Sequence, residues 1–135
     1  MGKTIVACLD DLFFRSKIEA TARHLNVPLR FTGAGDLAKT CRDGKTAAVL
    51  LDLSANGDPL GVVTELRNDA ATRDLPIIGF LSHVDRDLAQ RAESSGVTRV
   101  MPRSEFSERL PDLIMDLLAP GMKREIQEEP ELPDE

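Results

Sequence analysis

Five short apolar runs alternate with five amphipathic stretches along this chain, and that alternation narrows the folds open to it more than any other feature. The apolar runs lie at 4–9, 27–32, 47–53, 76–81 and 97–101, the amphipathic stretches at 13–25, 35–43, 59–68, 85–95 and 105–118. The runs at 47–53 and 76–81 are apolar at nearly every position. A strand with one face in water alternates apolar and polar residues, whereas a strand covered on both faces does not. Five β-α pairs built on such strands predict a parallel sheet with helices on both sides. Local punctuation agrees. Asp58-Pro59 reads as an N-cap followed by a first-turn proline, and Pro76 stands at a strand start, where its missing N–H is tolerated. Gly44 and Gly96 follow helices, as terminating glycines do. Ser104 is the expected N-cap of the last helix, in which Leu110, Leu113, Ile114, Leu117 and Leu118 recur at helical spacing. Pro111 suits a first turn or a kink better than a helix interior.

The 135 residues are enough for one domain with one core, and 41% hydrophobic residues make folding the expectation. With five Phe and neither Trp nor Tyr, aliphatic side chains must fill most of the interior. No run approaches the length of a membrane helix, and the N-terminus has no signal-peptide pattern. Cys8 and Cys41 read as reduced thiols, so a cytoplasmic location is expected. Residues 122–135 hold two basic and six acidic side chains, most of the net charge of −6. The expected organisation is therefore a domain over 1–119 and an acidic, Pro-rich disordered tail over 120–135. No basic stripe of the kind that binds nucleic acid is present.

Three carboxylates stand at the ends of apolar runs: Asp10 and Asp11 after the first, Asp52 at the end of the third. If those runs are neighbouring parallel strands, all three acids meet at the C-terminal edge of the sheet, where open α/β sheets bind ligands. Crowded carboxylates repel one another, and a hard cation such as Mg²⁺ relieves the repulsion. The arrangement points to phosphoryl chemistry on an aspartate.

Over residues 3–118 the chain resembles a response-regulator receiver domain, in a divergent form. Asp10-Asp11, Val49-Leu50-Leu51-Asp52-Leu53, Leu75-Pro76-Ile77-Ile78-Gly79-Phe80 and Ser94-Ser95-Gly96-Val97 carry the likeness without gaps. The resemblance implies a flavodoxin-like, doubly wound sheet of five parallel strands in order 2-1-3-4-5, with five helices, two on one face and three on the other. It implies that Asp52 accepts a phosphoryl group from a histidine kinase, a phosphotransfer protein or a small acyl-phosphate donor. Asp10, Asp11, Asp52 and the Ser54 carbonyl would hold Mg²⁺, and Arg103 would be the phosphate-binding cation where receivers have Lys. Output would pass to a downstream protein, or to a second copy, through the face formed by the fourth helix, fifth strand and fifth helix. Ile77 and Val100 are expected at exposed positions there. No enzymatic activity is implied beyond gain and loss of the chain's own phosphoryl group.

The departures are specific. The Thr or Ser that ends the fourth strand of receivers is Leu81, and Ser82, one residue on, offers the nearest hydroxyl. The aromatic residue of the fifth strand is Val100. These changes leave a second reading open, a pseudo-receiver that acts as an interaction scaffold without phosphorylation. A third reading, a small nucleotide-binding domain, rests on Gly33-Ala34-Gly35, which follows a strand and opens a helix. His24 and Ser82-His83 read as surface and loop.

Overall fold

The computed structural model describes residues 3–82 and 85–118. The chain runs β1 (Thr4–Cys8), α1 (Leu12–His24), β2 (Leu29–Phe31), α2 (Ala34–Cys41), β3 (Thr46–Asp52), α3 (Pro59–Arg67), β4 (Ile77–Leu81), α4 (Arg86–Ser95), β5 (Arg99–Pro102) and α5 (Arg103–Leu118). The five strands form one parallel sheet in the order β2-β1-β3-β4-β5, as expected. The expected tail at 120–135, and His83, lie outside the described residues.

Side-chain alternation along each strand divides the core into two. Val6 and Cys8 of β1, Val49 and Leu51 of β3, and Ile77 and Leu81 of β4 meet α2, α3 and α4 through Leu37, Val63, Leu66 and Ala92. Ile5 and Ala7, Ala48 and Leu50, Ile78 and Phe80, and Met101 meet α1 and α5 through Phe14, Ile18, Phe106, Leu110 and Ile114. Two helices thus cover one face and three the other. Cys8 and Cys41 are buried free thiols. Among the described residues no helix is long and apolar enough to cross a membrane.

Most of the local signals are realised. Asp58, in a left-handed conformation at φ 58°, caps α3 by accepting from the Gly61 N–H, and Pro59 opens the helix. Gly96 ends α4 at φ +117°, and Gly44, at φ +76°, lies in the turn before β3. Three expectations are corrected. Ser104 is not an N-cap, because β5 passes into α5 without a loop and the helix already begins at Arg103. Pro111 lies inside α5; it is exposed, on a side where water can serve the carbonyl that its ring leaves without a donor. Ile77 is fully buried rather than part of an exposed face, since β4 lies between β3 and β5 and Ile77 points at α3 and α4.

At the N-terminal edge of the sheet one side chain joins two connections, α3–β4 and α4–β5. Arg67, at the end of α3, donates to the carbonyls of Gly96 (2.9 Å), Arg73 and Leu75 (2.7 Å each) and to the Thr98 hydroxyl (3.2 Å). The planar fork of a guanidinium serves several acceptors at once, which an ammonium cannot reproduce. Arg67→Ala is expected to lower unfolding stability by about 2–3 kcal/mol, with Arg67→Lys recovering only part of the loss, as read from urea denaturation midpoints.

Candidate functional site

The acids lie at the C-terminal edge of the sheet, Asp52 on β3 and Asp10 and Asp11 in the connection after β1. Asp52 is the last residue of β3 and shares the face of Ala48 and Leu50, which is the side of α1 and α5. It is only 9% exposed. One of its oxygens accepts from the Ser54 N–H at 2.9 Å. Its strand partner is Phe80, so Leu81, one residue on, points to the opposite face and is buried there with Val63 and Ala92. Ser82 lies exposed in the bend after β4.

Asp11 ends the connection after β1 and begins α1. Its Oδ1 accepts from the N–H groups of Phe13 (2.9 Å) and Phe14 (3.1 Å), so it is the N-cap of α1. Its Oδ2 accepts from the guanidinium of Arg103 in a part-buried ion pair. Arg103 directly follows β5 and also lies 4.4 Å over the Phe14 ring. That ring is held from beneath: its centroid is 5.3 Å from Phe80 and 5.8 Å from Phe106, which stack on each other at 4.5 Å. Asp10 is exposed beside them.

The electrostatics follow from these positions. Burial pushes the Asp52 carboxyl up; the Ser54 N–H and Arg103 pull it down, and Asp10 and Asp11 push it further up. Asp11 is held below the usual carboxylate range, first by Arg103 and then by the Phe14 N–H. The Cys8 thiol beneath the acids is pushed up to about 11 by burial, with Asp10 and Asp52 adding to the effect, so it is a packing group and not a nucleophile.

Sequence reasoning brought Asp10, Asp11, Asp52 and Arg103 to one edge, and the structure gathers them there. It missed the partnership between two of them. Asp11 was expected on a metal and Arg103 on a phosphate, yet each holds the other. It also missed Phe14, the platform for Arg103; the only signal was its place as the first buried residue after the Asp11 cap. As these side chains stand they do not make a metal cage. Both oxygens of Asp11 have donors, and among the described residues no group of three or more His, Cys, Asp or Glu side chains is disposed to hold a metal ion. Ser54 meets Asp52 through its N–H.

The glycine pair at 33 and 35 lies elsewhere. Gly33 caps α2 without a side-chain bond, beside β2 at the outer edge of the sheet. A Cβ added at either glycine would meet nothing within 4 Å, so no close approach demands glycine there. The crevice between β1 and β3, where the strand order reverses and ligands bind in such sheets, holds the acids instead. Beyond them, Leu81, Ala89, Val100 and Met101 line a cavity of about 180 Å³ between α4 and β5.

No family model matches the sequence, and no curated protein matches it. Solved structures do. A response-regulator signal receiver domain from Bermanella marisrubri superposes with a TM-score of 0.73 at 24% identity, over 87% of this chain and 98% of that one. The phosphorylated cyanobacterial phytochrome response regulator RcpA gives 0.74 at 16% identity, over 88% and 96%. The Mn²⁺-bound form of the response regulator Rcp1 gives 0.71 at 12% identity, over 87% and 95%. The chain has the receiver fold, in a divergent sequence.

A carboxyl whose folded-state pKa is raised binds its proton more tightly in the folded chain than in the unfolded one. Its burial therefore costs stability at neutral pH, and the cost fades as pH falls through the carboxylate range. Asp52→Asn is accordingly expected to raise Tm at pH 7, with the gain shrinking towards pH 4, as checked by calorimetry across that range. A Tm at pH 7 below that of the unmodified chain would contradict this account of Asp52.

Proposed function

We propose that the chain is a receiver-type signalling module in which Asp52 accepts a phosphoryl group and the output is a contact with another protein. One observation carries this reading. Asp52 is the only charged side chain among the buried described residues, and it stands at the C-terminal end of the central strand with a single backbone N–H on its carboxylate. A structural acid has no reason to be placed there, since a buried charge without a partner cation of its own costs stability.

An oxygen of Asp52 would attack the phosphorus of a phosphohistidine or acyl phosphate. The bond from phosphorus to the donor's nitrogen or oxygen breaks, and the donor keeps the electron pair. Such a transfer needs positive charge on the equatorial oxygens. Arg103 is the cation nearest to hand; to reach them its guanidinium leaves Asp11, so phosphorylation and the Arg103–Asp11 pair compete. Ser82 is the hydroxyl that follows β4. Mg²⁺ would need Asp11 together with Asp10 and Asp52, and Asp11 is already engaged. A kinase or phosphotransfer protein would dock over the acids. The α4–β5–α5 face, with its apolar cavity beside Val100, would meet the downstream protein or a second copy.

A second reading has its own support. Leu81 is buried in the core at the position expected to bear a hydroxyl, and Val100 is only half-buried at the aromatic position. A scaffold that binds its partner without phosphorylation has no need of either group.

Intact-protein mass after incubation with acetyl phosphate, with and without Mg²⁺, separates the two. The expected result is a single phosphoryl adduct on the unmodified chain and none on Asp52→Asn, with unchanged circular dichroism. No adduct under either condition moves the reading to the scaffold.

A further inference from the structure

We propose that residues 119–127 return along the open edge of β2 and pair with it as a sixth, parallel strand of the same molecule. This docking does not depend on phosphorylation of Asp52.

β2 is the outer strand of the described sheet and pairs with β1 alone. The Pro28 carbonyl accepts from the Ile5 N–H, and the Thr32 N–H donates to the Ala7 carbonyl. Polar groups alternate sides along a strand, so the N–H and C=O of Leu29 and Phe31 point away from β1. An open row of this kind is a template for a further strand. On its α1 side, Val27, Leu29 and Phe31 are only half-buried, against the same core as Leu117. Glu19, Ala22 and Arg23 enclose this apolar strip as a cavity of about 270 Å³. On its α2 side, Arg30, Asp36, Lys39 and Asp43 line a larger, polar cavity of about 670 Å³.

The occupant follows from where the described chain stops. Leu118 is the last described residue, and with Leu117 it lines one cavity together with Val27 and Pro28, where β2 begins. From Val27 to Phe31 is about 13 Å of strand, at ~3.3 Å per residue. Residues 119–135 cover that length with room to turn. A segment tethered at the mouth of the groove is present at high effective concentration, so a few contacts suffice to hold it there.

The charges of the segment fit both sides of the edge. With Met122 and Ile126 on the apolar strip, alternation brings Arg124 to the same side, beside Glu19. Lys123 and Glu125 then turn towards α2, two strand steps or about 6.6 Å apart. Asp43 and Lys39 stand about one helical turn apart at the end of α2. α2 runs back towards the N-terminal edge of the sheet, the edge from which the segment enters. Lys123 therefore reaches Asp43 first, and Glu125 reaches Lys39.

The test uses the full chain with a nitroxide on Gln127→Cys; Cys8 and Cys41 are buried and stay unlabelled. The amide signals of Phe31, Thr32 and Gly33 are expected to broaden, and those of β5, at the opposite edge of the sheet, to stay sharp. Diluting the labelled, isotope-enriched chain into unlabelled chain is expected to leave the broadening intact. Met122→Asp combined with Ile126→Asp is expected to abolish it. In the chain without a nitroxide, the same two substitutions are expected to speed hydrogen exchange at the Leu29 and Phe31 amides about tenfold, with unchanged circular dichroism. Broadening spread evenly over both edges overturns the proposal, as does exchange at Leu29 and Phe31 that the substitutions leave as it was. Broadening that disappears on dilution also overturns it and assigns the edge to a second copy of the chain.

Discussion

β3 lies between two neighbours and beneath helices on both sides, and six of its seven residues are buried. A strand in that position has no solvent face on which to place a charge. It nonetheless ends in Asp52, and much of the site is a response to that carboxylate. The Ser54 N–H takes one oxygen, Arg103 supplies positive charge nearby, and the adjoining acids sit where water reaches them more freely. The result is a carboxyl whose charged form is disfavoured by burial and partly rescued by its neighbours.

Arg103 acts on more than one acid and belongs to more than one layer. Its guanidinium completes the α1 cap residue's hydrogen bonding and lies on the aromatic cluster that joins α1, β4 and α5. A lysine at the same place would keep the charge and lose the planar contact with Phe14. The Arg103 guanidinium thus stacks on Phe14 and pairs with Asp11, while its charge still bears on Asp52. The burial of Leu81 on the opposite face places an apolar side chain at the strand end, in the α3–α4 core.

The fold was legible because its evidence is local and repeated. Uninterrupted apolar runs at β3 and β4, caps at Asp58 and Gly96, and the spacing of Leu110, Leu113 and Ile114 each identify an element without reference to the others. Where the reading slipped, long-range context decided. Nothing near Ser104 announces that β5 enters α5 without a loop. Ile77 looks like any apolar residue at a strand start until β5 covers one side and the helices another. Pro111 breaks a helix by local rules, yet the surrounding stripe of buried leucines carries α5 through it.

The sequence by itself determined that five βα units build a sheet buried on both faces, and that Asp10, Asp11 and Asp52 stand at the C-terminal ends of two apolar runs. Both follow from periodicity, which is a property of short windows. Only the tertiary structure decided what those acids hold. Asp11 and Arg103 are 92 residues apart. They meet because the connection after β1 and the start of α5 both emerge at the C-terminal edge of one sheet, and because α1 and α5 pack on the same face over one aromatic cluster. No window of the chain contains that geometry, and it is the geometry that sets a guanidinium on the carboxylate that was expected to hold a metal ion.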